Sequence, residues 1–502
     1  MALLPLYGVW ALWLATGGGD LAAQIAWAQF ARAHPDSAYN LSWYGGMHVA
    51  NYSLLTPLLM GWAGLRAVAV SAGLGATWAL TAVMCRAPGV QAPLWPALLG
   101  GVAVWCNVAC GRVTFAVGLA AAALALLWAS SAPVRTVRTA CAAGVATAAS
   151  PLAGLFLCVV SVAYLLRRSP RAGWSLLLPT AAVQAVVVAA FPFWGEQPLQ
   201  APAALVPLGT CIVALLVTPR SWGLARTATA VYGAGVVAVC LVAGPVGSNI
   251  ERLGVIAGAP FMLAARLSTP ARHQYRTAAL TSATVLLSVW ILGKTAYDLS
   301  LYTPVPDWAT HTRPLTKTLH RLGADRSRIE VLPARDHREA WLLGRDFHLA
   351  RGWNRQLDVT RGRLFYDGTL TAATYRSWLD HRAVSHVVLH SGRPDGPAEA
   401  EAALIRSHPT WLRKVWSDAH WTVYAVDSPV PLVSAPARVL HTDSSAIVLA
   451  ADKPATYTLR LPYSPRLRVD GGALLAPAGD FTRVTTTRPG PHTIHSHYLS
   501  SP

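Results

Sequence analysis

The feature that most limits what this chain can fold into is the placement of its charges. Of 23 acidic residues, only Asp20, Asp36, Glu196 and Glu251 precede Tyr297, while the 41 basic residues divide 16 and 25 about the same point. The acid-poor part holds apolar runs at 66–86, 111–130, 174–194 and 278–296. At ~1.5 Å of helix rise per residue, each is long enough for a ~30 Å hydrocarbon core. Residues 1–297 therefore predict transmembrane helices, and the charge-rich remainder predicts a soluble tail.

A net charge of +18 does not point to nucleic acid. The arginines of the first part sit in short loops between apolar runs, which is the positive-inside pattern. The tail is +6, from 25 basic and 19 acidic residues, and lacks the one-sign clusters that track phosphates. All seven cysteines lie in or beside apolar runs, so no disulfide framework is implied. Residues 2–17 read as a first span, because no basic region precedes them and no small-residue cleavage site follows.

Arg167, Arg168 and Arg171 form the most basic loop and are expected in the cytoplasm. Alternation from there gives about eleven spans, a cytoplasmic amino terminus and an extracytoplasmic tail, in an inner (plasma) membrane. Two segments leave alternatives: 49–63 is short for a span, and 138–166 is one long helix or a pair broken at Ser150-Pro151. The arginine count favours a non-crossing 49–63, which makes 18–64 one external loop and puts Arg66 and Arg112 outside. The tail divides near residue 430. Residues 298–429 mix helix-like stretches (Tyr375–Leu379, Glu399–Ser407) with strand-like runs (Ile329–Leu332, Val384–Leu389, Trp421–Val426), as in an α/β domain. Residues 430–502 read as a β-sandwich, with Asp470-Gly471-Gly472 as a hairpin and Pro489-Gly490-Pro491 as a second turn.

The external loop carries the chemistry. The run from Asp20 to His34 begins with an acid and reads as a helix lying on the membrane surface. After it come Asp36, Tyr39, Trp43, Tyr44, His48 and Tyr52, then YSLLTP at Tyr52–Pro57; the tail ends with LRVDGG and RPGPHTI. An acid just past the first span, a juxtamembrane helix, many spans and an external tail together resemble the GT-C superfamily of polytopic glycosyltransferases. YSLLTP is similar in position to a Pro-rich motif ahead of the second span in that group, and the ending is similar to the β-domain of its YfhO-like members.

The resemblance implies transfer of a sugar from a polyprenyl-phosphate donor to a cell-envelope glycan or glycolipid at the outer face, with inversion. Resemblance to actinobacterial envelope enzymes implies arabinofuranose or mannose as the sugar. Asp20 matches the catalytic acid by position; as a general base it would take the proton of the acceptor hydroxyl, at a low-dielectric interface that raises carboxylate pKa values. Against that stands a plain helix cap. Asp36 and His34 are candidates for the acceptor or for a divalent cation, set against ordinary turn chemistry; no metal-ligand motif is present. Trp43, Tyr44 and Tyr52 would suit a sugar face or an interfacial aromatic belt, and His48 is a candidate polar contact. Arg112, or alternatively Arg66, is expected to meet the donor phosphate, against a snorkelling role at a helix end. ARGWNRQLD, Ala350 to Asp358, suits carbohydrate or a buried salt-bridged turn, with the turn favoured. The competing functions are a transporter or flippase of lipid-linked sugars, which would keep ionisable groups in mid-membrane, and a non-catalytic glycan-binding scaffold.

Overall fold

The computed structural model describes residues 2–498, so Met1 and the last residues of the expected 430–502 domain lie outside it. The helices before Pro304 are α1 (Leu4–Val9), α2 (Asp20–Ala33), α3 (Thr56–Ala63), α4 (Leu65–Arg86), α5 (Leu94–Ala109), α6 (Val113–Ala129), α7 (Thr136–Ala149), α8 (Pro151–Leu166), α9 (Pro170–Ala190), α10 (Ala201–Val217), α11 (Gly223–Leu241), α12 (Glu251–Leu267) and α13 (Gln274–Tyr302). Two compact units result: one takes residues 1–15 and 50–303, the other 16–49 and 304–502.

In the first unit, α4, α9, α11 and α13 are long and apolar enough to cross a bilayer, and α5, α6, α8, α10 and the stretch Leu4–Leu14 are shorter apolar helices. The chain is a multi-pass membrane protein. Exposed Trp62, Trp78, Leu178, Leu205, Leu216 and Leu286 are what lipid-facing surfaces require. Between helices the contacts are made by small residues: a Cβ on Gly118 would meet Ser150 and Ala153, and one on Gly154 would meet Thr147. Pro179, Pro207 and Pro260 stand inside helices, which packed membrane helices tolerate.

The two ambiguous segments take definite secondary structure. Residues 138–166 are two helices, α7 and α8, separated by Ser150 in extended conformation. Two carbonyls at the end of α7 are then taken by Leu54 N–H (to Ala148 O, 2.9 Å) and the Thr56 hydroxyl (to Ala149 O, 3.2 Å). Within 49–63 the only α-helix is α3, whose eight residues span ~12 Å, too short to cross.

The second unit begins with α2 and resumes with α14 (Asp307–Thr310), α15 (Arg313–Arg321), α16 (Arg338–Leu343), α17 (Arg355–Arg361), α18 (Ala372–His381) and α19 (Glu399–Arg406). Its strands are β1 (Arg328–Val331), β2 (His348–Leu349), β3 (Val384–His390), β4 (Leu412–Ser417), β5 (Trp421–Val426), β6 (Arg438–Thr442), β7 (Ile447–Ala451), β8 (Thr456–Leu459), β9 (Leu467–Val469), β10 (Ala473–Ala478), β11 (Phe481–Thr486) and β12 (Gly490–Ser496). The first five form one sheet in the order β2-β1-β3-β5-β4, with β1 parallel to β2 and β3 and the rest antiparallel. The last seven form two sheets, β10-β11-β8 and β6-β7-β12-β9, which enclose Ile447, Leu449, Tyr457, Leu459, Val484 and Ile494.

Asp470-Gly471-Gly472 is not a hairpin. It joins β9 to β10, which belong to different sheets, and the glycines at φ +84° and +71° turn the chain from one layer to the other. Turn chemistry marks a change of direction; which strand the chain pairs with next is set by distant partners.

Candidate functional site

The expected external loop, 18–64, divides at residue 49, and its first part is built into the second unit. Tyr39 and Leu41 enter the core of the two-sheet layer. Tyr39 N–H donates to Ser496 Oγ on the last strand (2.9 Å) and Leu41 N–H to Ser444 O (2.8 Å). Residues 42–44 run beside β2: Leu349 N–H donates to Ser42 O (2.8 Å) and Tyr44 N–H to Leu349 O (3.1 Å). Gly46 has φ +113°, and a Cβ there would lie 2.2 Å from the Tyr39 ring, so only glycine fits. Arg361 donates to the carbonyls of Tyr44 (2.6 Å) and Gly46 (2.8 Å).

This framework occupies several side chains expected to meet substrate. The Trp43 indole is buried and donates to Ala340 O (3.0 Å). Tyr44 is buried and donates to Gly352 O (2.8 Å). His48 places Nδ1 at 2.9 Å from Ala38 O and Nε2 at 2.9 Å from Ser464 Oγ, and burial pushes its imidazole down to about 4. The three work as a fastening between 16–49 and the tail. ARGWNRQLD forms the salt-bridged turn: buried Arg351 grips Asp358 through two bonds (2.9 and 2.8 Å) and Glu401 through a third (2.8 Å). Glu330, fully buried beside this group, has its carboxyl held well above the usual range by desolvation and by Glu401. Trp353 in the same turn carries His337 stacked on it at 3.4 Å.

Asp20 is different. It is partly exposed and is the first residue of α2; the cap position belongs to Gly19 at φ +64°. Its carboxylate therefore stands at the positive end of the helix without being the capping group. The tail fixes the backbone that presents it: Gly19 N–H donates to Asp336 O (2.8 Å), Arg338 to Thr16 Oγ1 (2.9 Å) and the Trp341 indole to Gly17 O (3.0 Å). Arg338 is itself buried and ion-paired with Asp336. The face of α2 with Leu21, Trp27 and Phe30 is buried in protein, where the sequence had suggested a membrane surface. Asp36 is exposed and His34 partly so, its ring 5.6 Å from Phe30.

Tyr52, Arg66 and Arg112 belong to the first unit. Tyr52 is partly buried. Arg66 is exposed and donates to Ala15 O (3.1 Å). Arg112 is half-buried in the α5–α6 turn, 3.9 Å from Asp298 in the last turns of α13. Arg66 thus packs on the chain just after the first apolar stretch, and Arg112 on the last turns of α13.

The same unit contains an apolar cavity of about 310 Å³, lined by α4, α6, α8, α10, α11 and α12 with Phe115, Phe156, Ala122, Ala228, Tyr232 and Leu253 in its wall. Its wall hydroxyls are already engaged: Thr210 with Val206 O (2.8 Å), Thr229 with Ala225 O (2.9 Å) and Tyr232 with Ile250 O (2.8 Å). Such a space favours a hydrocarbon ligand; a dry cavity of ~150 Å³ already holds benzene. At the Phe115 end it meets charge. The Arg252 guanidinium lies 5.6 Å from the Phe115 ring, the neighbouring Glu251 is ion-paired with Lys294, and Arg112 precedes Phe115 by three residues on one helical face. Sequence reading passed over Arg252 and Lys294, although ionisable residues bordering apolar spans are the signal to look for. Among the described residues, no three His, Cys, Asp or Glu side chains gather to hold a metal ion.

No protein-family model matches the chain, and no curated protein matches it. Among solved structures it is similar to the arabinofuranosyltransferase AftD from Mycobacteria, at 15% identity and TM-score 0.44 over 90% of this chain and 41% of that one. The chain thus spans about two fifths of AftD's length. It is also similar to ArnT from Cupriavidus metallidurans bound to undecaprenyl phosphate (14% identity, TM-score 0.44, 84% of this chain and 96% of that one). ArnT in the apo state gives 16% identity and TM-score 0.41 over the same shares.

Proposed function

We propose that the chain is an inverting glycosyltransferase that moves a sugar of arabinofuranose or mannose type from a polyprenyl-phosphate donor to a cell-envelope glycan or glycolipid. The observation that carries this reading is the apolar cavity with its charged end. A polyprenyl phosphate is a hydrocarbon chain ending in an anion, and the first unit offers a hydrocarbon-lined space ending at Arg252 beside Phe115, with Arg112 and Lys294 near by. In this reading about eleven helices cross an inner membrane, the amino terminus is cytoplasmic, and the reaction occurs at the outer face.

In the reaction, the Asp20 carboxylate takes the proton of an acceptor hydroxyl as its oxygen attacks the anomeric carbon. The bond from that carbon to the donor phosphate oxygen breaks, the electron pair leaves with the phosphate, and configuration inverts. In the first unit the arginines are the groups suited to hold the phosphate as its charge grows; in the second, His34 and Asp36 are candidates for the acceptor. The tail's three bonds to residues 16–19 keep the base where it is needed.

Asp20→Asn tests this directly. The amide keeps the size of the side chain but cannot accept the proton, so transfer from a radiolabelled polyprenyl-phosphate sugar should fall by roughly 10²-fold or more while the purified protein keeps its helical spectrum and melting behaviour. Near-normal transfer by a folded Asp20→Asn protein would place the base elsewhere.

A further inference from the structure

A second recess, of about 200 Å³, lies wholly in the extramembrane unit, lined by Gln29 of α2, Thr312 just before α15, Arg313 and Thr316 of α15, Trp341 of α16 and Asp346. No part of the reaction above uses it. Trp341 is fixed at one edge, its indole N–H donating to Gly17 O (3.0 Å) and its ring close enough that a Cβ on Gly17 would sit 3.3 Å from it. The rest of its ring contributes to the wall of the recess. Around it stand an amide, two hydroxyls, a guanidinium and a carboxylate, a mixture that can both donate and accept.

The charge pattern selects the ligand. Arg345, also at the rim, faces Asp346 through two contacts (3.2 and 3.4 Å), so its charge is compensated. That leaves one exposed guanidinium, Arg313, and a single charge at an open rim is a poor phosphate site. A neutral polyhydroxylated ring uses everything present: its C–H face against indole, its hydroxyls against Gln29, Thr312, Thr316 and Asp346. Recognition by one flat aromatic and a few convergent polar groups is how concave sites take such ligands.

We propose that this recess binds a saccharide residue of the acceptor glycan, at a subsite remote from the reacting hydroxyl. The proposal rests on the transferase reading for the source of the glycan. Gln29 stands nine residues along α2 from Asp20, ~14 Å of helix rise. A sugar held there belongs to the body of an oligosaccharide whose end is being extended, so the enzyme prefers acceptors longer than one residue. Trp341 also carries the carbonyl of Gly17, three residues ahead of Asp20, so one side chain serves both the subsite and the segment presenting the base.

The test is saturation-transfer NMR on the full-length protein in nanodiscs, titrated with neutral oligosaccharides of mannose and of arabinofuranose, from disaccharide to tetrasaccharide, without donor. Binding that tightens with length is expected. Gln29→Ala and Asp346→Ala, both rim substitutions of small cost to folding, should each weaken it about tenfold, or ~1.4 kcal/mol, at an unchanged melting temperature. Three results overturn the proposal: no saturable binding to the wild-type protein, wild-type affinity in both variants, or complete displacement by inorganic phosphate. Because the titration needs no turnover, a chain that transfers nothing can still pass it, and a transferase that holds its acceptor elsewhere fails it.

Discussion

His48 offers a quantitative check on how residues 16–49 are fastened to the tail. Its ring is buried between Ala38 O and Ser464 Oγ, and desolvation, with smaller repulsion from Arg466 and Arg361, pushes its pKa down from the usual 6.5 to about 4. In that window the unfolded segment binds a proton that the folded one refuses. The stability that neutral His48 contributes is thus fully present above pH ~6.5 and lost as pH falls towards ~4. At ~1.4 kcal/mol per unit, acidifying from pH 7 to pH 5 removes about 2 kcal/mol through this residue alone. His348 and His390 are pushed down in the same way, whereas Glu330, Glu339 and Glu401 are raised and act with the opposite sign. These contributions are common to the wild type and to His48→Gln, whose side chain does not titrate. The measurement is hydrogen exchange of peptides covering 38–48, corrected for the intrinsic pH dependence of exchange. The protection advantage of the wild type over His48→Gln should shrink by ~2 kcal/mol between pH 7 and 5. Parallel pH profiles would refute the reasoning, because they would mean that His48 titrates as an exposed imidazole.

Three further outcomes are expected. Arg351→Ala leaves Asp358 and Glu401 buried without their cation, at a cost of about 3–5 kcal/mol, and should abolish protease resistance of the tail at 37 °C; a resistant variant contradicts the buried network. Ala228→Trp puts an indole into the apolar cavity and should weaken polyprenyl-phosphate binding by about tenfold, read by titration in detergent; unchanged affinity places the lipid elsewhere. Exposed Ser391, changed to cysteine in a chain lacking the native seven, should react with a membrane-impermeant maleimide in intact cells; labelling only after permeabilisation reverses the orientation. Ser37 would not serve, being buried against Ser496.

The membrane helices were legible because length and apolar content are local properties, and so were β3 and β5, whose β-branched runs declare themselves. The role of the external loop was not. Trp43, Tyr44 and His48 look like binding residues in an aromatic, polar stretch, but their partners Ala340, Gly352 and Ser464 lie hundreds of residues away. Nothing local distinguishes an indole that meets a sugar from one that meets a distant carbonyl. The hairpin assigned to Asp470-Gly471-Gly472 failed for a related reason, since its glycines turn the chain between sheets. Asp20 stands out in the sequence as a solitary acid among apolar residues, whereas Arg252 and Lys294, single cations at the edges of apolar runs, do not.

The threading of Tyr39 and Leu41 into the core closed by β12 imposes an order on biosynthesis. Residues 16–49 leave the ribosome early, yet the strand that completes their surroundings ends at Ser496, so they must wait, unsupported, while the apolar helices from α4 to α13 are made. Contacts so distant along the chain make the closing step slow. Trp27, Tyr39 and Leu41, all buried in the finished fold, are exposed until it happens. The backbone leading to Asp20 is likewise unanchored until Asp336, Arg338 and Trp341 arrive. A nascent chain halted before the tail therefore carries its apolar helices while residues 16–19 still lack the anchors that hold the backbone around Asp20.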